Sequence, residues 1–326
     1  MSACTTTDIL IVGAGPTGLY GAFCAGFRGL RTVVTDALPQ PGGQIAALYP
    51  EKEIRDVAGL PGVIGRDFVA ALLGQAATYE PQYLLGLQAV ALDYSEAGRP
   101  RVTLADGHVV DAGAVILAAG IGAFTRALPA GEEFLGRGLS YFVPDPAAHA
   151  GHDVLIVGGG DSAVDWALAL QPVARSVTLV HRRATFRAHA ASVTALTGSG
   201  ARIITDAVVE ALSGNGTVQR AHVRVRGEPD LRVFPVDSVV AALGFASNLG
   251  PLAEWGLRLR RRSAVVDSRM RTNLDRVYAA GDITDYEGKV RLMSVGFGEV
   301  ATAVNNAAVM LDPELSLSPG HSTDTV

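Results

Sequence analysis

The sequence predicts an α/β protein, because one strand–turn–helix pattern occurs in it twice. An apolar run, a glycine-rich turn and a helix-like stretch follow one another over residues 9–27, and the same order returns over residues 154–170. Glycine supplies 38 of the 326 residues, which suits tight turns between strands and helices. The pattern is typical of two Rossmann-like, three-layer dinucleotide-binding domains.

Composition narrows the class of protein. Apolar residues make up 48% and charged residues 18%, as in a soluble globular enzyme. The net charge of −5 argues against a dominant nucleic-acid-binding role. Two cysteines exclude a disulfide scaffold and a cysteine-based zinc site, and the histidines outside the nucleotide-binding motifs lack metal-ligand spacing, so no metal is predicted. Without an 18-residue apolar run or a signal-peptide core, we expect a cytoplasmic protein with no membrane association.

The first glycine-rich turn, Gly-Ala-Gly-Pro-Thr-Gly at residues 13–18, directly follows the apolar run 9–12. Gly13 permits the tight turn, Gly15 lets a pyrophosphate approach the backbone, and Gly18 lets the helix pack close to the strand. The helix N-terminus then offers N–H groups and a positive dipole end to phosphates. The alternative is a glycine-rich turn with a purely structural role.

An acid completes this first motif. Asp36 ends the predicted strand 31–36 and follows Gly13 by 23 residues. A carboxylate at this place accepts hydrogen bonds from a ribose. Pro16 fits the first helical turn, where an N–H is not needed.

The second glycine-rich turn, Gly-Gly-Gly-Asp-Ser-Ala at residues 158–163, follows the apolar strand 154–157. The next strand, 176–180, ends in His-Arg-Arg rather than in an acid. Guanidinium groups bind a ribose 2′-phosphate, which a carboxylate would repel. We therefore predict NADPH at this site and not NADH, although a solvated basic loop is the alternative. The predicted NADPH-binding residues are Gly158, Gly160, Asp161, Ser162, Ala163, His181, Arg182, Arg183 and Arg187.

Later segments predict how the two domains are connected. Residues 101–104 and 108–110 form a hairpin pattern around Asp-Gly, and residues 114–120 and 238–244 are apolar returning strands. A third apolar strand, 277–282, ends in Gly-Asp. We expect one discontinuous domain, residues 1–118 and 246–326, with the second domain, residues 119–245, inserted into it.

The order of these motifs resembles the flavoprotein disulfide reductase superfamily, in its compact thioredoxin-reductase-like branch. In that branch the first site holds FAD and the second NADPH. Thioredoxin reductase carries a Cys-x-x-Cys pair in its NADPH domain, whereas residues 119–245 of this chain contain no cysteine. Cys4 and Cys24 lie 20 residues apart, so neither belongs to such a pair. Reduction of thioredoxin is therefore not expected.

A narrower resemblance is to the thioredoxin-reductase-like ferredoxin/flavodoxin–NADP⁺ reductases, which are homodimeric FAD enzymes without the dithiol. It rests on residues 38–44, 47–52, 158–166, 296–299, 302–306 and 321–323. It implies hydride transfer between NADP(H) and flavin N5, and one-electron exchange with ferredoxin or flavodoxin. A reductase of a small disulfide, a diaphorase-like reductase and a non-catalytic nucleotide sensor are the alternatives.

The same resemblance implies roles for residues around FAD. Thr17 contacts the pyrophosphate, Gln44 faces the flavin, and Tyr49 stacks on the isoalloxazine ring. A helix starting near residues 298–302 directs its N-terminus at the flavin. The remaining implied FAD contacts are Val90, Phe124, Asp282, Thr302 and Ser322.

Two of these roles conflict with a simpler interpretation. Tyr49, taken alone, is typical of a half-buried packing residue. Residues 312–326 are rich in Ser, Pro and Thr and have the composition of a disordered tail. The resemblance instead implies that His321 stacks over the flavin and that Ser322 lies near N5.

A second group of arginines occurs late in the chain. Its members are Arg258, Arg260, Arg261, Arg262, Arg269 and Arg271. A solvated charged face is one interpretation. The other is a docking surface for an acidic carrier such as ferredoxin or flavodoxin.

Overall fold

The computed structural model describes residues 4–125, 128, 131–143, 145–243, 245–247, 249–321 and 323, with side chains left out at 123–125 and 245–247. The chain divides into two compact units. Unit 1 comprises residues 1–123 and 247–326, and unit 2 comprises residues 124–246. The changeovers predicted from the sequence were 118/119 and 245/246. Which cofactor each unit holds stays a prediction.

The helices and strands fall into three stretches of the chain. The first stretch contains β1 (Cys4–Val12), α1 (Pro16–Phe27), β2 (Thr32–Asp36), α2 (Gly43–Leu48), β3 (Glu53–Ile54), β4 (Val63–Ile64), α3 (Gly65–Ala77), β5 (Gln82–Leu85), β6 (Ala89–Tyr94), β7 (Pro100–Leu104), β8 (Val109–Leu117) and β9 (Ala123–Thr125). The second contains β10 (Leu139–Ser140), β11 (Asp153–Val157), α4 (Asp161–Leu170), β12 (Ser176–Val180), α5 (Ala190–Thr197), β13 (Arg202–Ile204), β14 (Ala207–Ser213), β15 (Arg220–Val225), β16 (Arg232–Pro235), β17 (Ser238–Ala241) and β18 (Phe245–Ser247). The third contains β19 (Leu259–Arg260), β20 (Ser263–Val265), β21 (Val277–Ala279), β22 (Thr284–Asp285) and α6 (Met293–Leu311).

Unit 1 is built on a seven-stranded sheet of order β5-β2-β1-β8-β7-β6, in which β21 also pairs with β8. Strands β5, β2, β1, β8 and β21 run parallel to one another, whereas β7 is antiparallel to both β6 and β8. The middle of β1 is fully buried, as expected of a central parallel strand. The carboxyl ends of β1, β2 and β8 therefore meet at one edge, where loops form ligand sites in such sheets.

Strand β8 corrects one detail of the prediction. Residues 109–110 and 114–117, predicted to lie in two separate strands, belong to one continuous strand. Its first residues pair with β7 and its last with β21, so the hairpin strand and the returning strand are the same element. Strand β1 likewise begins before the apolar run 9–12 that predicted it, at Cys4.

Unit 2 has three layers. Its five-stranded sheet, of order β10-β17-β11-β12-β13, is parallel throughout. Val154 and Ile156 of β11 face a core shared with α4, whereas Leu155 and Val157 face a core shared with the antiparallel sheet β14–β16. This alternation is the period of two expected of a strand buried on both faces. The predicted α/β class with two Rossmann-like units is confirmed.

Three small sheets complete the strand pairing: β19-β20-β22, β3-β4 and β9-β18. The last pair lies where the chain passes between the units. Among the described residues, no helix is both long enough and apolar enough to span a membrane.

Candidate functional site

The first glycine turn follows β1, and two of its glycines leave no room for a side chain. Gly13 has a φ of 114°, and a Cβ there would collide with the carbonyl oxygen of Ala118. A Cβ on Gly18 would collide with the carbonyl oxygen of Gly13. Gly15 differs, because the nearest atom to a Cβ there would be Gly43 Cα at 3.8 Å. Of Gly13, Gly15 and Gly18, only Gly15 leaves its backbone open to a ligand.

Helix α1 begins at Pro16, and Thr17 in its first turn touches two distant segments. A Cβ built on Gly281 would lie 2.9 Å from Thr17 Oγ1, and one on Gly296 would lie 2.7 Å from it. Glycine at both positions therefore lets the start of α1, the turn after β21 and the first half of α6 meet. These are three of the segments to which the resemblance assigns FAD.

Asp36 ends β2 beside this turn, as predicted. Its Oδ2 accepts the N–H of Ala14 at 2.6 Å, and its Oδ1 accepts the N–H of Leu38 at 2.8 Å. Burial raises the pKa of this carboxyl, and the two N–H donors oppose the rise. Each oxygen of the carboxylate keeps a further lone pair, so it can still accept from a ribose hydroxyl.

Gln44 and Tyr49 lie on and after the short helix α2. A Cβ on Gly120 would lie 3.8 Å from Gln44 Nε2, which places Gln44 near the chain that leaves β8. Tyr49 packs against the cluster formed by α1, α2 and α3. Burial raises the pKa of its hydroxyl, and the nearby carboxylates of Asp56 and Asp282 raise it further. The phenol thus combines a packing contact with closeness to Asp282.

Val90 occupies an irregular position in β6. The pairing of β6 with β7 shifts register between Ala89 and Ala91, so Val90 is the bulged residue. Bulges commonly redirect backbone groups next to binding sites. The Val90 carbonyl accepts the indole N–H of Trp255 at 3.4 Å.

The remaining predicted FAD contacts are only partly described. The backbone of Phe124 lies in β9, but its side chain is outside the described residues, as is the whole of Ser322. His321 is exposed.

Helix α6 begins earlier than predicted. It starts at Met293, not near residues 298–302, and Thr302 lies in its middle, where its hydroxyl donates to the Gly298 carbonyl at 2.9 Å. Gly296 lies inside the helix, at a position where Thr17 leaves no room for a larger residue. The N-terminal dipole end therefore belongs to residues 293–296, and Thr302 has no place in it.

A buried ion pair that the sequence did not suggest lies beside these segments. Lys289 Nζ donates to Glu299 Oε1 at 2.5 Å, and the two side chains are 6% and 4% exposed. Tyr286 donates its hydroxyl to the same oxygen at 2.6 Å. The available signal was Glu299 itself, which is the lone charged residue in the sequence of α6.

The second glycine turn, in unit 2, repeats the geometry of the first. A Cβ on Gly158 would collide with the Ala242 carbonyl oxygen and lie 2.8 Å from Ala163 Cβ, and Ala163 is fully buried. A Cβ on Gly160 would meet nothing within 4 Å. Backbone at Gly160 is thus open to a ligand, immediately before α4.

The first turn of α4 carries the next two predicted residues. Asp161 is the first helical residue, and its Oδ1 accepts the N–H of His189 at 2.8 Å. Ser162 follows it and is exposed. Unpaired N–H groups at this helix start favour an anion.

His181 has a different place from the one predicted. Only 7% of the residue is exposed, and its Nε2–H donates to the Thr185 carbonyl at 3.1 Å. Its ring stacks on Phe186 and fills the space that a side chain at Gly159 would need. Burial lowers the pKa of the ring, so the neutral form is favoured. His181 therefore supports the glycine turn and does not present a charge to a phosphate.

The arginines beside it are in the predicted place. Arg182, Arg183 and Arg187 are exposed, and the Arg187 N–H donates to the Gly159 carbonyl at 2.8 Å. No ion pair with a described carboxylate engages these three side chains. Their guanidinium groups are thus available at the end of β12, next to the open turn.

Comparison with known proteins identifies the family. Residues 7–307 match the family model described as pyridine nucleotide-disulphide oxidoreductase. The chain belongs to this family. It is 61% identical over 318 residues to a ferredoxin–NADP reductase of Salinispora tropica, with 97% of this chain and 98% of the relative covered. It is 46% identical over 325 residues to a ferredoxin–NADP reductase of Thermus thermophilus, with 98% and 97% covered.

Solved structures support the fold of this family. A thioredoxin reductase from T. acidophilum aligns with a TM-score of 0.78 at 24% identity, covering 94% of this chain and 98% of that one. A bacillithiol disulfide reductase from Staphylococcus aureus aligns with a TM-score of 0.76 at 15% identity, covering 95% and 100%. At these identities the likeness establishes the fold alone.

Proposed function

We propose that the protein is an FAD-dependent ferredoxin–NADP⁺ reductase. One observation carries the proposal: two glycine turns of matching geometry lie in two units, one beside the carboxylate of Asp36 and the other beside the free guanidinium groups of Arg182 and Arg183. The first suits a ribose and the second a ribose 2′-phosphate. The relatives with the same full-length match are named ferredoxin–NADP reductases.

FAD would be held in unit 1. The open backbone at Gly15 and the first turn of α1 accept the pyrophosphate, and Asp36 accepts from the adenosine ribose. Gln44 and Tyr49 would lie against the flavin, Asp282 would bind the ribitol or the phosphate side, and the bulge at Val90 would meet the adenine. Residues 293–296 would direct the N-terminus of α6 at the flavin, a favourable place for negative charge.

NADPH would be held in unit 2. Gly160 and the N-terminus of α4 accept its pyrophosphate, while Arg182, Arg183 and Arg187 bind the 2′-phosphate. His181 would act indirectly, by keeping Gly159 in its close-packed conformation.

The chemistry needs no acid or base from the protein. When bound, FAD would supply two-electron exchange with NADP(H) and one-electron exchange with a carrier. The chain's own residues bind and orient the two nucleotides. Cys4 is exposed in β1 and the thiol of Cys24 has its pKa raised to about 12 by burial, so neither provides a reactive dithiol.

The carrier would be ferredoxin or flavodoxin, docked on the late arginines of unit 1. Arg261 and Arg262 form the exposed tip of the β19–β20 hairpin, and Arg260 at its base pairs with Asp285 at 2.6 Å. Asp285 follows Asp282 by three residues, a span of at most about 11 Å. The basic tip therefore lies close to the proposed flavin site, as electron transfer to an acidic carrier requires.

A homodimer is part of the proposal. Half-buried aromatic rings form a continuous surface in unit 1: Tyr20 and Phe23 lie 5.7 Å apart, as do Phe23 and Tyr79, and Phe23 and Phe27 lie 6.1 Å apart. Tyr79 is 38% exposed. Aromatic surfaces of this kind are enriched at protein interfaces. Sedimentation analysis would test the dimer.

The deciding experiment is a screen of electron acceptors with NADPH and the purified, FAD-loaded protein. We expect rapid reduction of ferredoxin or flavodoxin and none of thioredoxin. Faster reduction of a small disulfide than of either carrier would favour the disulfide reductase instead. A protein that binds no flavin and consumes no NADPH would be a nucleotide sensor.

A further inference from the structure

One buried ion pair holds both the backbone N–H and the backbone carbonyl of Gly281. Glu299 Oε2 accepts the Gly281 N–H at 2.7 Å, and Lys289 Nζ donates to the Gly281 carbonyl at 3.0 Å. Thr284 donates its hydroxyl to that carbonyl at 2.8 Å. We call Glu299 and Lys289 the Gly281 clamp.

Stability alone explains the clamp poorly. Removing two charges from water is expensive, and a buried ion pair is often no more stabilising than apolar side chains of similar volume. The clamp is nearly excluded from solvent, so this desolvation cost applies in full. Its best-supported effect is therefore on the conformation of what it holds.

Gly281 occupies a position at which three segments meet. Its φ is 81°, and Thr17 of α1 leaves no space for a side chain there. Asp282 is the next residue, and the first half of α6 approaches through Gly296. A small rotation of the backbone at Gly281 would displace Asp282 and would also change the contact with Thr17.

We propose that Glu299 and Lys289 are positioning residues for FAD. The clamp fixes the backbone of Gly281 in one conformation. It thereby keeps Asp282, Thr17 and the N-terminal turn of α6 in the arrangement that receives the flavin. This inference rests on the proposed function, because it assumes that FAD is the ligand of unit 1.

Two double variants isolate the decisive hydrogen bond. Glu299→Gln with Lys289→Met removes both charges but keeps an oxygen that can accept the Gly281 N–H. Glu299→Leu with Lys289→Met also removes both charges, at similar volume, but leaves that N–H without an acceptor. Neither contains an unpaired buried charge, which avoids the most destabilising outcome.

The measurements are the Kd of the apoprotein for FAD, the visible absorption envelope of the bound flavin and the Tm. We expect the Leu/Met variant to bind FAD about 10- to 100-fold more weakly than the Gln/Met variant, by analogy with the loss seen when residues that orient metal ligands are removed. Its flavin envelope should also shift. The Gln/Met variant should remain within a few-fold of wild type by the same reasoning.

Asp111→Asn supplies a matched control. The substitution weakens the ion pair between Asp111 and Arg99, whose charged atoms lie 2.5 Å apart in unit 1. This pair lies near the first residues of β8, whereas the proposed FAD site lies at the other end of that strand. We expect a lower Tm with unchanged FAD affinity.

The clamp proposal fails if the two double variants bind FAD with the same Kd and envelope, or if Asp111→Asn weakens FAD binding as much as the Leu/Met pair does. A wild-type protein that binds no FAD would overturn the proposed function as well. A wild-type protein that binds FAD but does not reduce a carrier would overturn only the activity, and the clamp would still be decided by the affinities.

Discussion

Arg182 and Arg183 are exposed at the end of β12, whereas the adjacent His181 is buried against Gly159. Three consecutive residues that look alike in charge therefore have two different roles. The arginines can contact a 2′-phosphate, and the histidine supports the turn that precedes α4. The difference determines what each substitution should do.

Replacing both Arg182 and Arg183 with Ala should weaken NADPH binding and leave NADH nearly unaffected. Losing two charge-assisted contacts costs about 2–4 kcal/mol, or roughly 30- to 1,000-fold in the KM for NADPH. Steady-state kinetics with both nucleotides would measure it. Arg202→Ala, on the next strand, is the control. Equal effects on both nucleotides would contradict a 2′-phosphate site.

Because His181 is buried and its pKa is lowered, we expect the folded protein to lose stability in mild acid. Burial and the charges of Arg182 and Arg183 lower its pKa, while the Thr185 carbonyl and Asp206 oppose them. Because the folded state binds this proton more weakly than the unfolded state, the stabilisation is present above the unfolded pKa of 6.5 and is lost as the pH falls below it.

The test compares wild type with His181→Gln, whose amide can also donate to the Thr185 carbonyl. Between about pH 7.5 and about pH 5.5 the Tm of wild type should fall further than that of the variant. Parallel falls would show that other groups, such as His149, whose pKa is also lowered by burial, cause the pH dependence.

The role of a residue could be predicted from the sequence where the constraint on it comes from residues nearby in the chain. Gly13, Gly18 and Asp36 were predictable because the constraints on them arise from the turn itself and the adjacent strand. The burial of His181 was not, because it depends on the space left by Gly159. The Gly281 clamp was also missed, since it joins side chains to a backbone unit whose conformation no sequence pattern shows.

Among the elements, α6 shows the same limit. The family resemblance implied a start near residues 298–302, but the helix begins at Met293. Glycine usually weakens a helix interior, by about 1 kcal/mol relative to alanine. Close approach of Thr17 to Gly296 overrides that preference, and a contact with residue 17 could not be deduced from residues 293–302 alone.

The β19–β20 hairpin is an element whose turn residues are unfavourable for its geometry. Arg261 and Arg262 both have positive φ, 50° and 68°, in a two-residue turn that favours Asn-Gly. Left-handed backbone costs about 1–2 kcal/mol for an ordinary residue. The sequence therefore places two exposed charges where the backbone would prefer other residues.

Replacing Arg261 with Asn and Arg262 with Gly should raise the Tm and slow association with ferredoxin. The turn loses strain, while two charges leave the proposed docking surface. Stopped-flow association rates at low and high salt would measure this, with a smaller salt dependence expected in the variant. Arg220→Ala with Arg232→Ala in unit 2 is the control for net charge. Unchanged rates would identify the arginine tip as a solvated face.

At the scale of the whole molecule, the order of the two glycine turns was visible in the sequence, because each motif is continuous. The conformation of the end of the chain was not visible in the sequence. Residues 312–321 are exposed throughout, and Arg28 holds the segment by donating to the Ser316 carbonyl at 2.8 Å. Composition and family resemblance disagree about the role of the residues beyond this anchor.

Deleting residues 320–326 distinguishes a disordered tail from a segment that covers the flavin. The deletion leaves the Arg28–Ser316 contact and both units intact, so folding and FAD binding should persist. If His321 and Ser322 cover a flavin, the deletion should change its absorption envelope and the rate of its reduction by NADPH in a single turnover. A stacked ring contributes only about 0.5–1.5 kcal/mol beyond its buried area, which would let the tail move aside for nicotinamide. His321→Ala in the full chain should reproduce the spectral change. Identical spectra and rates in wild type, deletion and point variant would show that this segment has no contact with the flavin.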